Sequence, residues 1–340
     1  MSGPGAAIFG CAGPWLGEAE RAFFADAQPW GFILFARNIG DPAQLARLTG
    51  DLRHAVGRDA PVLIDQEGGR VQRMWAPHWR QWLPPLDQMA RTRDLDRAAR
   101  AMFLRYRLIA DELTAVGIDV NCAPTADLAR PDTHPFLRNR CFGEDTASVV
   151  TGARAAAEGL LAGGVLPVVK HLPGHGRARV DSHFSLPAVN AAPDELNASD
   201  FEPFRALADL PLAMTAHIVF TAFDPSLPAT QSPRMVETIR RDIGFQGVLM
   251  SDDLSMQALA GSVGERAAAS VAAGCDLVLH CNGDLAEMEA VAAAAGGMSA
   301  EAVAKGEAAL ALRQRRCPLD MDAAEAELDE LLDGEVYAQG

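Results

Sequence analysis

Eight short apolar runs, separated by longer segments with helical spacing, recur from one end of this chain to the other. No other feature restricts its fold as much. The runs are Ala6–Cys11, Gly31–Ala36, Val62–Asp65, Ile118–Asn121, Val165–Lys170, Leu212–Thr215, Val248–Ser251 and Asp276–His280. Most are nearly continuous in apolar residues rather than alternating, the pattern of parallel strands covered on both faces. Helical spacing predicts helices over Pro42–Val56, Leu95–Val116, Thr146–Ala162, Met235–Ile243 and Gly264–Ala273. Asp41 and Pro42 form a start signal, and glycines at 117, 163–164, 244 and 274 form stop signals, after which a strand run follows.

Eight such βα units favour an α/β fold closed as a (β/α)8 barrel over an open doubly wound sheet. No G-x-G-x-x-G follows a strand and opens a helix, so no dinucleotide site is indicated. Two further helices are expected beyond Met298, with Met321–Leu332 on the surface. No linker divides the chain. The expectation is one domain over residues 1–340, with a barrel core of about 6–295 and C-terminal helices over about 298–334.

Composition narrows the function class. Of 340 residues, 49% are hydrophobic, enough for a large core, and the formal charge of −15 disfavours nucleic acid and anionic membrane as partners. Six cysteines occur without a C-x-x-C pair and do not read as a disulfide framework. The N-terminus has no basic segment before its apolar run, and no stretch approaches ~18 uninterrupted apolar residues. These features point to a cytoplasmic protein.

In a closed barrel of this kind the chemistry gathers at the C-terminal ends of the strands. Six of the eight runs end there in polar residues: Asp65, Asn121, Lys170–His171, Thr215 through His217, Ser251–Asp252–Asp253, and His280 with Asn282. Polar groups cost free energy to bury unless paired, so six on one rim point to function. Asp252 lies nearer its strand end than Asp253 and is the better functional carboxylate, whereas Asp253 suits a cap on the following loop.

Lys170 has two readings, a Schiff-base amine or a charged hydrogen-bond donor. Neighbouring carboxylates, expected to include Asp65, Asp181 and Asp252, favour the second. His171 and His175 stand four apart, but Pro173 and Gly174 between them argue against a helix and so against a paired metal site. Asp181-x-His183 reads as a carboxylate–imidazole dyad on a glycine-flanked loop; the alternative is an exposed loop histidine. Trp75, Trp79 and Trp82 cluster after the third run, suited to covering the barrel edge or to stacking on sugar.

Five blocks together resemble glycoside hydrolase family 3, and more narrowly its bacterial β-N-acetylglucosaminidases of peptidoglycan recycling. They are I-D-Q-E-G-G-R-V-Q-R (Ile64–Arg73), N-R-C-F-G-E-D (Asn139–Asp145), K-H-L-P-G-H-G (Lys170–Gly176), D-S-H (Asp181–His183) and S-D-D-L-S-M (Ser251–Met256). The resemblance implies Asp252 as nucleophile and His183, supported by Asp181, as acid/base. It implies Asp65, Arg73, Arg140, Lys170 and His171 as sugar-binding residues, with His217 also lining the pocket. It implies a retaining exo-hydrolase that removes N-acetylglucosamine β-1,4-linked to an anhydro-N-acetylmuramic acid, with or without peptide. No metal or cofactor is implied, and the chain is expected as a monomer or weak homo-oligomer. A phosphorylase and a non-catalytic sugar-binding barrel are the alternatives. The sequence departs from the family where Arg177–Ala178 stands in place of a common Asp-Thr, and where Leu172 replaces a common phenylalanine.

Overall fold

A computed structural model describes residues 3–92, 94–180 and 185–338. Among the described residues ten strands are formed: β1 (Gly5–Gly10), β2 (Pro29–Leu34), β3 (Val62–Ile64), β4 (Val120–Asn121), β5 (Leu166–Leu172), β6 (Ala188–Val189), β7 (Leu212–Thr215), β8 (Val219–Phe220), β9 (Val248–Asp253) and β10 (Leu277–His280). Eight of them close into a barrel in the order β1-β10-β9-β7-β5-β4-β3-β2, every pair parallel. The ring shuts where Ile8 pairs with both Leu279 and Gly31. All eight apolar runs are barrel strands, and most of their residues are fully buried. Strands covered inside by one another's side chains and outside by helices have no solvated face, which explains the absence of alternation. The short pair β6–β8 lies outside the barrel.

The helices begin and stop where capping chemistry dictates. Asp41 accepts a hydrogen bond from the Gln44 amide at 2.9 Å at the head of Pro42–Val56, and glycines 117, 164, 244 and 274 hold positive φ at or just past helix ends. Leu95–Ala115 and Thr146–Ala162 form an extensive helix pair. Gly159 lets them approach, since a Cβ there would come within 2.4 Å of the Phe103 carbonyl oxygen. The helix expected over Met235–Ile243 starts earlier, at Pro233 after the Ser232 cap, and widens into a π-turn over Thr238–Ile243.

Beyond the barrel, Ala300–Ala311 and Met321–Leu331 pack on the outside. The second lies along Leu95–Ala115, with Ala324 and Leu328 buried. The chain then returns to the loop that follows β3. Tyr337 bridges to Trp82, the Ala338 amide donates to the Gln81 carbonyl at 2.9 Å, and Arg80 joins Glu112 and Glu325. Of the tryptophan cluster, Trp79 and Trp82 pack inside while Trp75 stays exposed.

Candidate active site

The two strands that carry the most polar ends are irregular where those residues sit. Between its partners Ala213 and Thr215, β5 carries one residue more than β7, at Lys170–His171. Between Met250 and Asp253, β9 likewise carries one residue more than β10, at Ser251–Asp252. An extra residue interrupts the ladder and re-aims the side chains beside it. Lys170, His171 and Asp252 all face one cavity of about 350 Å³ at the C-terminal mouth of the barrel. The Lys170–His171 peptide is cis.

The same cavity is lined by Asp65, Arg70, Arg73, Phe35, Phe136, Arg140, His175, Met256 and Cys281. The polar groups form one ion-pair network. Asp65, at the end of β3, accepts from Lys170 Nζ and from the Arg73 guanidinium, each at 2.9 Å. Glu67, fully buried, accepts a two-pronged contact from Arg140 at 2.8 and 2.9 Å, and its Oε1 lies 2.6 Å from Lys170 Nζ. Burial alone would raise the Glu67 pKa, but Arg140 and Lys170 outweigh it and hold it down at about 2. Asp65 is likewise held below the carboxylate range by Lys170 and Arg73 against burial. Burial alone would lower the Lys170 pKa, yet Asp65 and Glu67 drive it up, so the amine is charged. This decides between the two readings of Lys170: it is a cationic donor. Its ion-pair partners are the anticipated Asp65 and, in addition, Glu67; Asp252 also feels its charge, and Asp181 lies outside the described residues.

The backbone after β3 is folded to carry this network. Gly68 and Gly69 have φ of 92° and 60°, and the Glu67 and Gly68 amides both donate to the Val71 carbonyl. Behind the turn, the buried Arg105 donates to the carbonyls of Glu67 and Leu83, and Tyr106 donates to the Glu67 carbonyl. A Cβ on Gly68 would fall 1.9 Å from the Arg105 guanidinium.

His171 is oriented by Asp127, whose Oδ2 lies 2.7 Å from its Nδ1, while the other oxygen accepts the His175 amide at 2.6 Å. Burial lowers the His175 pKa to about 4, so that ring is neutral near neutrality. Asp252 accepts the Asp253 amide at 2.8 Å. Burial would raise its pKa; His217, His171, that amide and Lys170 oppose burial, and the carboxyl ends below its usual range. His217 is itself pushed down by burial. Asp253 also lines the cavity, but its carboxylate caps the next loop, accepting from Ser255 N at 3.0 Å and Cys281 N at 3.2 Å.

The expected set is therefore gathered as follows. Asp65, Arg73, Arg140, Lys170, His171 and Asp252 share the cavity. His217 does not line it. It is fully buried behind the wall, with Nδ1 on Thr230 Oγ1 at 2.8 Å and Nε2 on the Asp253 carbonyl at 3.0 Å, so neither ring nitrogen is left for a ligand. Asp181 and His183 lie outside the described residues. Glu67 and Asp127 were not singled out from the sequence. Glu67 sits inside the D-Q-E-G-G block, the one signal that could have marked it, while Asp127 carries no local signal at all.

A model of the glycosyl hydrolase family 3 N-terminal domain matches residues 16–309. A β-hexosaminidase of Alkalilimnicola ehrlichii is 42% identical over 287 residues, covering 82% of this chain and 81% of that one. A crystal structure of NagZ from Neisseria gonorrhoeae in complex with N-trifluoroacetyl-D-glucosamine superimposes with a TM-score of 0.80 at 33% identity, over 98% of this chain and 99% of that chain. A family 3 β-N-acetylglucosaminidase structure from Paenibacillus sp. FPU-7 gives a TM-score of 0.84 at 29% identity; the match covers 96% of this chain but only 66% of that longer one. With the closed parallel barrel and the ion-paired cavity at its mouth, these matches establish that the chain is a glycoside hydrolase and belongs to family 3.

Proposed function

We propose that this enzyme is a retaining exo-β-N-acetylglucosaminidase that removes the terminal sugar from N-acetylglucosaminyl-anhydromuramyl substrates of cell-wall recycling, with or without a peptide. The observation that carries the reading is an ionised carboxylate, Asp252, at the irregular end of β9 in a cavity whose Asp65, Lys170, Arg73, Arg140 and His171 can hold a hydroxylated ring. The β-hexosaminidase names of the relatives support the choice of sugar.

In the proposed double displacement, Asp252 attacks the anomeric carbon as the glycosidic bond breaks, and the leaving oxygen takes a proton from His183. A water oxygen then attacks the same carbon, gives its proton to His183, and the bond to Asp252 breaks. A histidine, with an unperturbed pKa near ~6.5, can serve as acid and then base around neutrality, and Asp181 would favour its protonated form. Asp65, charge-balanced by Lys170 and Arg73, has the lone pairs to accept sugar hydroxyl protons while the cations donate to sugar oxygens. No helix among the described residues is long and apolar enough to cross a membrane. We place the enzyme in the cytoplasm, a reducing compartment that suits the buried Cys11, Cys122, Cys141, Cys275 and Cys281, none of which forms a disulfide.

The test is product analysis with N-acetylglucosaminyl-β-1,4-anhydromuramic acid. Release of free N-acetylglucosamine in the β configuration first, lost by at least about a thousandfold in Asp252→Asn, supports the reading. Wild-type turnover in that variant, or an inverted product, overturns it.

A further inference from the structure

The network in the cavity uses nearly all of its charge internally. Lys170 is spent on Asp65 and Glu67, Arg140 on Glu67, and Arg73 on Asp65. Arg70 is the exception. It lines the same cavity, yet among the described residues its guanidinium has neither a hydrogen bond nor an ion pair. It is also held in place. Its backbone sits at the apex of the turn closed on the Val71 carbonyl, with the Gly69 amide pinned to the Trp82 carbonyl at 2.9 Å. Its guanidinium lies 4.6 Å from the centroid of the Phe136 ring, and Arg140 lies 5.1 Å from that ring.

An arginine stacked on an aromatic face keeps its in-plane N–H donors free, and their fork matches a carboxylate. Arg70 is exposed, whereas Lys170, His171 and Glu67 are buried. It therefore stands at the mouth, beyond the place of the buried terminal sugar, where the leaving group would emerge. In a molecule of net charge −15, a fixed and unspent cation at the mouth is a local reversal of the prevailing field.

We propose that Arg70, stacked on Phe136, is a specificity-determining residue that binds a carboxylate on the leaving group, and so selects acidic glycosides over neutral ones. This inference rests on the glycosidase reading above. It adds to that reading a residue and a contact that none of the five sequence blocks assigns.

The experiment compares two substrates that differ only in the charge of one leaving-group substituent: N-acetylglucosamine β-1,4-linked to anhydro-N-acetylmuramic acid, and the same disaccharide with its carboxyl converted to a neutral methylamide. Released N-acetylglucosamine gives kcat/KM for each, and the acid-to-amide ratio is the readout. In wild type the ratio is expected near tenfold, falling with added salt. Arg70→Gln is expected to bring it close to one, and Arg70→Lys to an intermediate value, since a lysine keeps the charge but loses the fork and the stack. A wild-type ratio near one, or an unchanged ratio in Arg70→Gln, overturns the inference while leaving the glycosidase reading intact. Release of sugar from neither substrate overturns both.

Discussion

Replacing Glu67 by glutamine keeps the shape of the side chain and removes one negative charge from a cluster in which two carboxylates, Asp65 and Glu67, face three cations, Arg73, Arg140 and Lys170. The size of the effect follows from the structure in two ways. Depression of the Glu67 pKa from an ordinary 4.5 to about 2 corresponds to about 3 kcal/mol of folding stability at neutral pH. Removing one partner of a buried ion pair costs about 3–5 kcal/mol because the other charges stay buried and uncompensated. These are two views of the same quantity and must not be added. For a chain of this length, about 3 kcal/mol is a fall in melting temperature of about 4 °C. The sign with pH is fixed as well. A carboxylate whose folded pKa is depressed contributes in full above about 4.5, and the contribution is lost as pH falls towards about 2. Urea titration followed by tryptophan fluorescence should place Glu67→Gln about 3 kcal/mol below wild type at pH 7, with the gap narrowing only below about pH 4.5. KM for a chromogenic β-N-acetylglucosaminide should rise, since Lys170 and Arg140 lose the group that aims them. A variant within about 1 kcal/mol of wild type at pH 7, or a gap that does not change on acidification, refutes the role given to this carboxylate.

Three further outcomes are expected. Asp127→Asn should lower kcat/KM by about ten- to a hundredfold through misorientation of His171, with the fold retained by circular dichroism; unaltered kinetics would remove Asp127 from the positioning set. His175→Gln should flatten stability between about pH 6.5 and pH 4, because the buried neutral ring, with its pKa lowered to about 4, binds its proton more weakly than in the unfolded chain, so wild type loses stability on acidification through that window; equal losses in both proteins across that window would contradict this. Gly68→Ala should lose at least about 2 kcal/mol, since its φ of 92° disfavours a side chain and the new Cβ would meet Arg105; a wild-type thermal midpoint would mean the turn and Arg105 can yield.

What was legible in the sequence is what repeats or is local. Eight buried runs and their glycine stops announce a closed barrel because covering both faces of every strand leaves a continuous apolar signature. The gathering of Asp65, Lys170, His171 and Asp252 followed from their places at strand ends, since the closed ring must bring those ends together. Long-range pairing left no such trace. Asp127 sits 44 residues from His171 with nothing local to mark it, and Glu67 is written into a conspicuous block but takes its meaning from Arg140 and Lys170. His217 shows the opposite failure. It stands at a strand end like the others, yet its ring turns into the wall, where Thr230 and the Asp253 carbonyl satisfy it. The one-residue excesses in β5 and β9 are equally silent, because a bulge is a relation between two strands. The two-residue strands β6 and β8 are too short to carry a period.

The return of the chain to Trp82, through Tyr337 and Ala338, bears on how the protein is best handled. Residues 336–338 are laced to the wall that carries Asp65 through Arg73, whereas Gly5 begins β1 at the opposite end of the barrel. An affinity tag or a surface tether fused behind Tyr337 would pull on the mouth of the barrel. One fused ahead of Gly5 would leave the opening facing solvent, which makes the amino end the better handle for immobilising the enzyme.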